Sequence, residues 1–166
     1  MFFFLSTPEY TTTQFNTTKV RVHLRNGIAE VFDKHQDLMG KVENNRIEIE
    51  TNFENKLEKF SFILQDAVFV VSTKGLDAAS DIKETSVYVY AKRVQEINKN
   101  TSIEQLSKEY EKKTAILDKE FEKLGSSYEK GVVISAAKPL NSKIMLLQQE
   151  VTFLAKALII IKDIKS

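Results

Sequence analysis

Apolar residues recur at every second position in Val20-Val22-Leu24, Ile47-Ile49, Phe60-Phe62-Leu64 and Val87-Val89, while Arg21, His23, Glu48 and Tyr88 fall on the opposite side. Alternation of that kind puts one face of an extended strand in a core and the other in water. Past Arg93 the alternation stops. Ile144, Leu147, Val151, Leu154, Leu158 and Ile161 follow steps of three and four, which line one stripe of a helix. The pattern predicts an N-terminal β-sandwich or flattened barrel over residues 1–93 and a C-terminal antiparallel two-helix hairpin over residues 94–166.

Punctuation divides the first part into short strands. Phe2 to Thr7 forms a strand that Pro8 ends, and Thr11 to Thr18 forms a polar edge ribbon. Asn26-Gly27 stands between Lys19–Leu24 and Ile28–Phe32, and its tolerance of positive φ predicts a hairpin. Asp33 to Leu38 is expected to be loop, Val42 and Arg46–Glu50 to lead into a strand, and the charged run Asn52–Lys59 to connect it to Phe60–Leu64. Ala67–Ser72 is a nearly continuous apolar strand, as for one covered on both faces, and Ser86–Tyr90 closes the set.

In the second part, Thr101-Ser102-Ile103-Glu104 has capping-box spacing and predicts a helix start with Thr101 as cap. Gly125-Ser126-Ser127 offers its stop. After Val132-Val133-Ile134 and Pro139, Asn141 is the expected cap of the last helix. Six stripe residues at about 1.5–3 kcal/mol each represent on the order of ten kcal/mol of burial before entropy is subtracted. The first helix covers one face of that helix. Leu146, Phe153 and Ile160 lie off the stripe and are expected to remain as an exposed patch of the kind that marks an interface, to be covered by either the sandwich or another protein.

Charge and composition exclude more than they name. A net charge of +1 provides no long-range field for nucleic acid or an anionic membrane, so no nucleic-acid partner is expected. With no cysteine there is no disulfide and no thiolate metal site, which suits a reducing compartment. Phe2–Leu5 is too short for a signal-peptide core, and Glu150 and Lys156 interrupt the apolar stretch Ile144–Ile161, so no direct membrane insertion is expected. No phosphate loop, nucleophile motif or metal cluster is present, so the chain is expected to be non-catalytic and without a cofactor. His23, on the polar side of its strand, is expected to be solvent-exposed. For His35 two readings stand side by side: a bond to local backbone, or a partner contact. The charged run Lys108–Lys113 reads as a solvated helix face, and Tyr88 and Tyr90 as sheet-surface residues.

The run Asn26-Gly27-Ile28-Ala29-Glu30-Val31-Phe32-Asp33-Lys34-His35-Gln36-Asp37-Leu38 resembles a stretch of the F-type ATP synthase epsilon subunit, in which a glycine turn, a short strand, a loop histidine and a leucine follow in that order. Phe4-Leu5-Ser6-Thr7-Pro8-Glu9 is similar to that family's opening strand and its Thr-Pro-Glu end, Lys19–Leu24 to its next regular strand, and Phe60–Thr73 to its later hairpin. The resemblance covers residues 1–93; the helical tail agrees in architecture only.

The resemblance implies a central-stalk, or rotor, subunit of a rotary ATPase. Its implied partners are a gamma-like stalk subunit, the alpha/beta catalytic head through the hairpin, and in the family a membrane c-ring. Its place would be cytoplasmic, peripheral to the inner face of the membrane through the complex. Glu30, His35 and Leu38 fall on the strand and loop that lie near these contacts in the family. Asp33 and Asp37 stand where the family usually has prolines, a departure in the ring-facing region. Leu117-Asp118-Lys119-Glu120-Phe121-Glu122 matches only the first half of the ATP-binding pattern found in some bacterial members and lacks its arginine, so ATP binding is not expected. The long tail and a composition rich in Lys, Asn, Phe and Ile also fit a divergent, ringless F-type-like ATPase of the kind found in mollicutes, where rotation drives a task such as gliding. A free-standing coiled-coil adaptor is the alternative outside this family.

Overall fold

The computed structural model describes residues 1–9, 12–53, 56–73, 84–129 and 134–165. Eight strands are followed by two helices, in the order β1 (Phe2–Ser6), β2 (Thr13–Asn16), β3 (Lys19–Leu24), β4 (Gly27–Phe32), β5 (Leu38–Val42), β6 (Asn45–Phe53), β7 (Lys56–Ser72), β8 (Ser86–Ile97), α1 (Ile103–Glu129) and α2 (Ile134–Lys165). The expected class, a β-sandwich followed by a helical hairpin, is the one observed. The chain divides into two compact units, Met1–Thr101 and Ser102–Ser166.

In the sheet unit the strands hydrogen-bond in the order β2-β1-β8-β7-β6-β3-β4, and β5 pairs with β7. All neighbours are antiparallel except β1 and β8, which run parallel from Phe2 opposite Ser86 to Ser6 opposite Tyr90. β7 organises the set. The predicted strands Phe60–Leu64 and Ala67–Ser72 are one strand of 17 residues, because β8 runs beside both halves while β6 and then β5 continue each other along its other edge. At the break between them, Asn44 (φ 45°) and Asp66 (φ 46°) both adopt left-handed backbone. Both lie where the pairing of β7 passes from β6 to β5, and left-handed backbone interrupts regular strand geometry there.

The alternation read from the sequence is the inner face of the sheet unit. Val20, Val22, Ile47, Ile49, Phe62, Leu64, Val87 and Val89 are all buried, together with Phe3, Phe69 and Val71. The edge strand β2 closes over it: Phe15 stands 5.3 Å from the Phe60 ring and 6.1 Å from that of Phe62.

Several boundaries differ from the expected ones, each for a local reason. In the β3–β4 hairpin Leu24 pairs with Gly27, so Arg25-Asn26 form the two-residue turn, and Gly27, at φ 147°, opens the return strand. The run Asn52–Lys59 is no connector. β6 reaches Phe53 and β7 starts at Lys56, paired through Glu50–Lys59 and Thr51–Glu58, where outward charges cost nothing. β8 continues to Ile97 rather than ending at Tyr90, because its later residues pair with β7 from Ser61 onwards.

The helix cap lies one residue further along than expected. Ser102 Oγ accepts from Gln105 N at 3.2 Å, while Thr101 Oγ1 accepts from Asn98 N at 2.9 Å and donates to Glu96 O at 3.2 Å, closing the turn that leaves β8. Ser102→Ala should therefore cost about 1 kcal/mol in urea unfolding, the usual worth of an N-cap hydroxyl. α1 runs through Gly125-Ser126-Ser127 to Glu129, and α2 begins at Ile134, so Asn141 is an interior residue and not a cap. Pro139 lies past the first turn of α2, where its missing N–H forgoes one helix hydrogen bond. Val132 and Val133 lie outside the described residues.

Candidate functional site

The loop between β4 and β5 is held at both ends of the sequence that leads from β7 to β8. Asp37 Oδ1 accepts from both the backbone N and the hydroxyl of Thr73, each at 2.9 Å. Asp33 Oδ1 accepts from Thr85 N at 3.4 Å, and the fully buried Thr85 hydroxyl accepts from Lys34 N at 2.6 Å. Lys34 takes φ 64° to make this turn, and His35 N donates to Phe32 O at 3.2 Å. Asp33 and Asp37 are thus a clasp, their side-chain oxygens accepting from Thr85 and Thr73. Burial alone would raise the Asp33 carboxyl. The Thr85 and Lys34 donors outweigh it and hold the carboxyl below its ordinary value.

The sequence-predicted contact residues separate into different environments. His35 is half-buried, with Nδ1 2.7 Å from Gln36 O, a bond to local backbone. Leu38, also half-buried, packs against the sheet core at the start of β5. Glu30 faces outward on β4 and is held by Lys19 at 2.8 Å and Arg21 at 2.7 Å. These lysine and arginine contacts keep its carboxyl below the usual range.

Beyond Glu30, across β3 and β6, the ladder continues through residues whose importance the sequence did not signal. His23 is 17% exposed rather than solvated, because its Nε2 lies 3.2 Å from Glu48 Oε2 and 3.4 Å from the Arg46 guanidinium. Burial pushes the Glu48 carboxyl up; the His23 hydrogen bond and the nearby Arg46 and Arg21 charges pull it further down, to a net depression. Only pairing across strands brings these residues together: Arg21 stands opposite both Glu30 and Glu48.

Carboxylates whose folded pKa is depressed add stability above their ordinary values, and that stability is lost as pH falls through the folded value. With ordinary values of 3.8 for Asp33 and 4.5 for Glu30 and Glu48, thermal stability should hold through neutral pH and begin to fall below about pH 4.5. Glu48→Gln should flatten that fall. A Glu48→Gln profile between pH 7 and pH 3 parallel to the native one would refute the assignment.

On α2 the expected patch does not hold together. Leu146 is 55% exposed and Ile160 intermediate, but Phe153 is fully buried. The reason is that the buried face widens beyond Val151. Phe153, Leu154, Ala157, Leu158 and Ile161 are all covered, a broader face than the narrow heptad stripe read from the sequence. By length and composition alone, Asn141–Lys165 is also apolar enough to cross a membrane.

Two further features lie on the sheet unit. A shallow cavity of about 400 Å³ opens at the end of the parallel β1–β8 pair, lined by Ser6, Thr7, Pro8, Tyr90, Ala91 and Lys92. Tyr88 stacks on Phe4 of the neighbouring strand, with ring centres 4.9 Å apart and planes 8° from parallel, so its ring is engaged within the sheet. Among the described residues no group of three or more His, Asp or Glu side chains is placed to hold a metal.

No family model matches this chain, and no curated protein does. Among solved structures it is similar to a chain in the mitochondrial ATP synthase of Euglena gracilis, solved by cryo-EM as OSCP/F1/c-ring in rotational state 1. The identity is 15% and the TM-score 0.48, over 68% of this chain and 62% of that one. The chain therefore spans less than two thirds of the length of the chain it matches. A likeness of this size assigns no role.

Proposed function

We propose that this chain is a non-catalytic central-stalk subunit of an F-type or F-type-like rotary ATPase. The sheet unit fixes it to a gamma-like shaft subunit, and the hairpin acts as an arm towards the alpha/beta catalytic head, resisting rotation by steric contact when extended. The observation that carries this reading is the order of parts. An eight-stranded sheet is followed directly by an antiparallel helical hairpin, in a chain whose first 93 residues resemble the epsilon subunit family.

The apolar length of α2 is read here as hairpin core. Its Glu150 carboxylate meets Lys113 of α1 at 2.6 Å, and Ile144 and Leu147 pack with Leu117 of α1. Both are contacts that a lone bilayer span would lack. On this reading the protein reaches the membrane only through its complex, from the cytoplasmic side.

A second reading within the same class is favoured by the Asp33 and Asp37 clasp. It rebuilds the loop that faces the ring in the family, as suits a divergent motor without a proton-translocating ring. Isolation of the tagged chain at native abundance, followed by mass spectrometry, tests both. A gamma-like subunit and nucleotide-binding subunits should copurify. Ring subunits in the same complex would favour the ordinary synthase, and their absence the ringless motor. Recovery with neither shaft nor nucleotide-binding subunits would reject the stalk assignment in favour of the adaptor.

A further inference from the structure

Two ionic contacts between α1 and α2 among the described residues fall on one antiparallel register. Lys113 Nζ meets Glu150 Oε2 at 2.6 Å and Lys143 Nζ meets Glu120 Oε1 at 2.8 Å. Glu120 lies seven residues after Lys113, and Lys143 seven residues before Glu150, so the pairs sit one heptad apart on both helices. Between them lies the apolar cluster of Leu117, Ile144 and Leu147. Glu120 is itself buried, its side chain 6% exposed, and Lys123 of its own helix also reaches it at 3.0 Å. The Lys143 and Lys123 contacts hold its carboxyl below the ordinary value.

The arrangement of signs matters more than the two attractions. Each helix carries lysine first and glutamate seven residues later. Sliding α2 by one heptad in one direction would set Lys113 against Lys143 and leave Glu150 opposite Leu106. Sliding it in the other direction would set Glu120 against Glu150 and leave Lys113 opposite Ala157. Leu106 and Ala157 are buried positions, so either slip combines like-charge repulsion with a charge driven against apolar surface. An apolar seam repeating every heptad discriminates poorly between these registers. Gly125, Ser126, Ser127 and Pro139, towards the end of α1 and the start of α2, are weak helix formers and would unwind cheaply to permit a slip.

We propose that Lys113, Glu120, Lys143 and Glu150 form a register lock, which holds the hairpin in a single alignment and opposes sliding of one helix along the other. The lock is a property of the hairpin itself and stands whether or not the stalk assignment holds.

The full chain contains no cysteine, so Lys119→Cys and Lys156→Cys, both at exposed positions, accept spin labels at those sites alone. In this background, Lys113→Glu with Glu120→Lys makes both native contacts repulsive and gives each slipped alignment an attractive pair. The interlabel distance should leave its native value, with an axial displacement of roughly 10 Å for one heptad or a broad distribution if the helices part. Adding Lys143→Glu and Glu150→Lys reverses both partners and should restore the native distance. A double variant that keeps the native distance overturns the lock, and so does a fourfold variant that fails to regain it.

Discussion

Phe69→Ala should destabilise the sheet unit by about 3–5 kcal/mol, the range for emptying a fully buried aromatic site. Phe69 sits in β7, has no exposed surface, and pairs across the strands with Gly40 of β5. Its ring lies over that glycine. A Cβ built on Gly40 would stand 2.7 Å from the Phe69 Cζ and closer still to Cε1. The ring therefore fills the place of the inward side chain that Gly40 lacks, between the inward-facing Leu38 and Val42. Gly40→Ala should cost about 1–3 kcal/mol through overpacking, and Phe69→Leu should recover part of that loss. Urea unfolding of the two single variants and the double variant checks this. Additive costs would mean that the two positions do not share space.

Phe153→Ala should cost about 3–5 kcal/mol, whereas Leu146→Ala, seven residues earlier on the same helix, should stay within about 0.5 kcal/mol. Phe153 has no exposed surface and Leu146 is 55% exposed. The contrast separates core from surface on a helix where both residues are large and apolar. Helical circular dichroism followed through denaturation reports on the hairpin. Equal losses at the two positions would show that the widened buried face beyond Val151 is misplaced.

The strongest sequence signals were those in which one residue reports on its own environment. Alternation at Val20-Val22 and Ile47-Ile49 fixes which side chains face inward whatever strand lies alongside, and those residues are all buried. The helical period of Ile144, Leu147, Leu154, Leu158 and Ile161 did the same, and each of these is covered. Weaker signals failed where pairing decided. Asp33–Leu38 reads as loop and Val42 as the lead into the next strand, yet Leu38–Val42 becomes the separate strand β5 because β7 offers an open edge and Phe69 fills the gap over Gly40. Leu64 reads as the end of one strand and Ala67 as the start of another, because nothing local shows that β8 bridges the break.

The candidate sites divide in the same way. His23 reads as solvated because its partners, Glu48 and Arg46, are more than twenty residues away in the chain. Asp33 and Asp37 were visible as departures from a family pattern, but their purpose depends on Thr85 and Thr73, some fifty and thirty-six residues away. Phe153 was placed on a partner surface because a heptad count describes a narrow seam and cannot report how wide a face is buried.

By itself the sequence determined the class of each half and the inward side of its strands and helices, since the period of apolar residues is a property of consecutive positions. Tertiary structure alone decided which strand edges meet, where β7 passes from β6 to β5, and which opposite charges face each other across α1 and α2. Those outcomes come from contacts between residues remote in the chain, whose free energy exists only once folding has brought both partners to the same place.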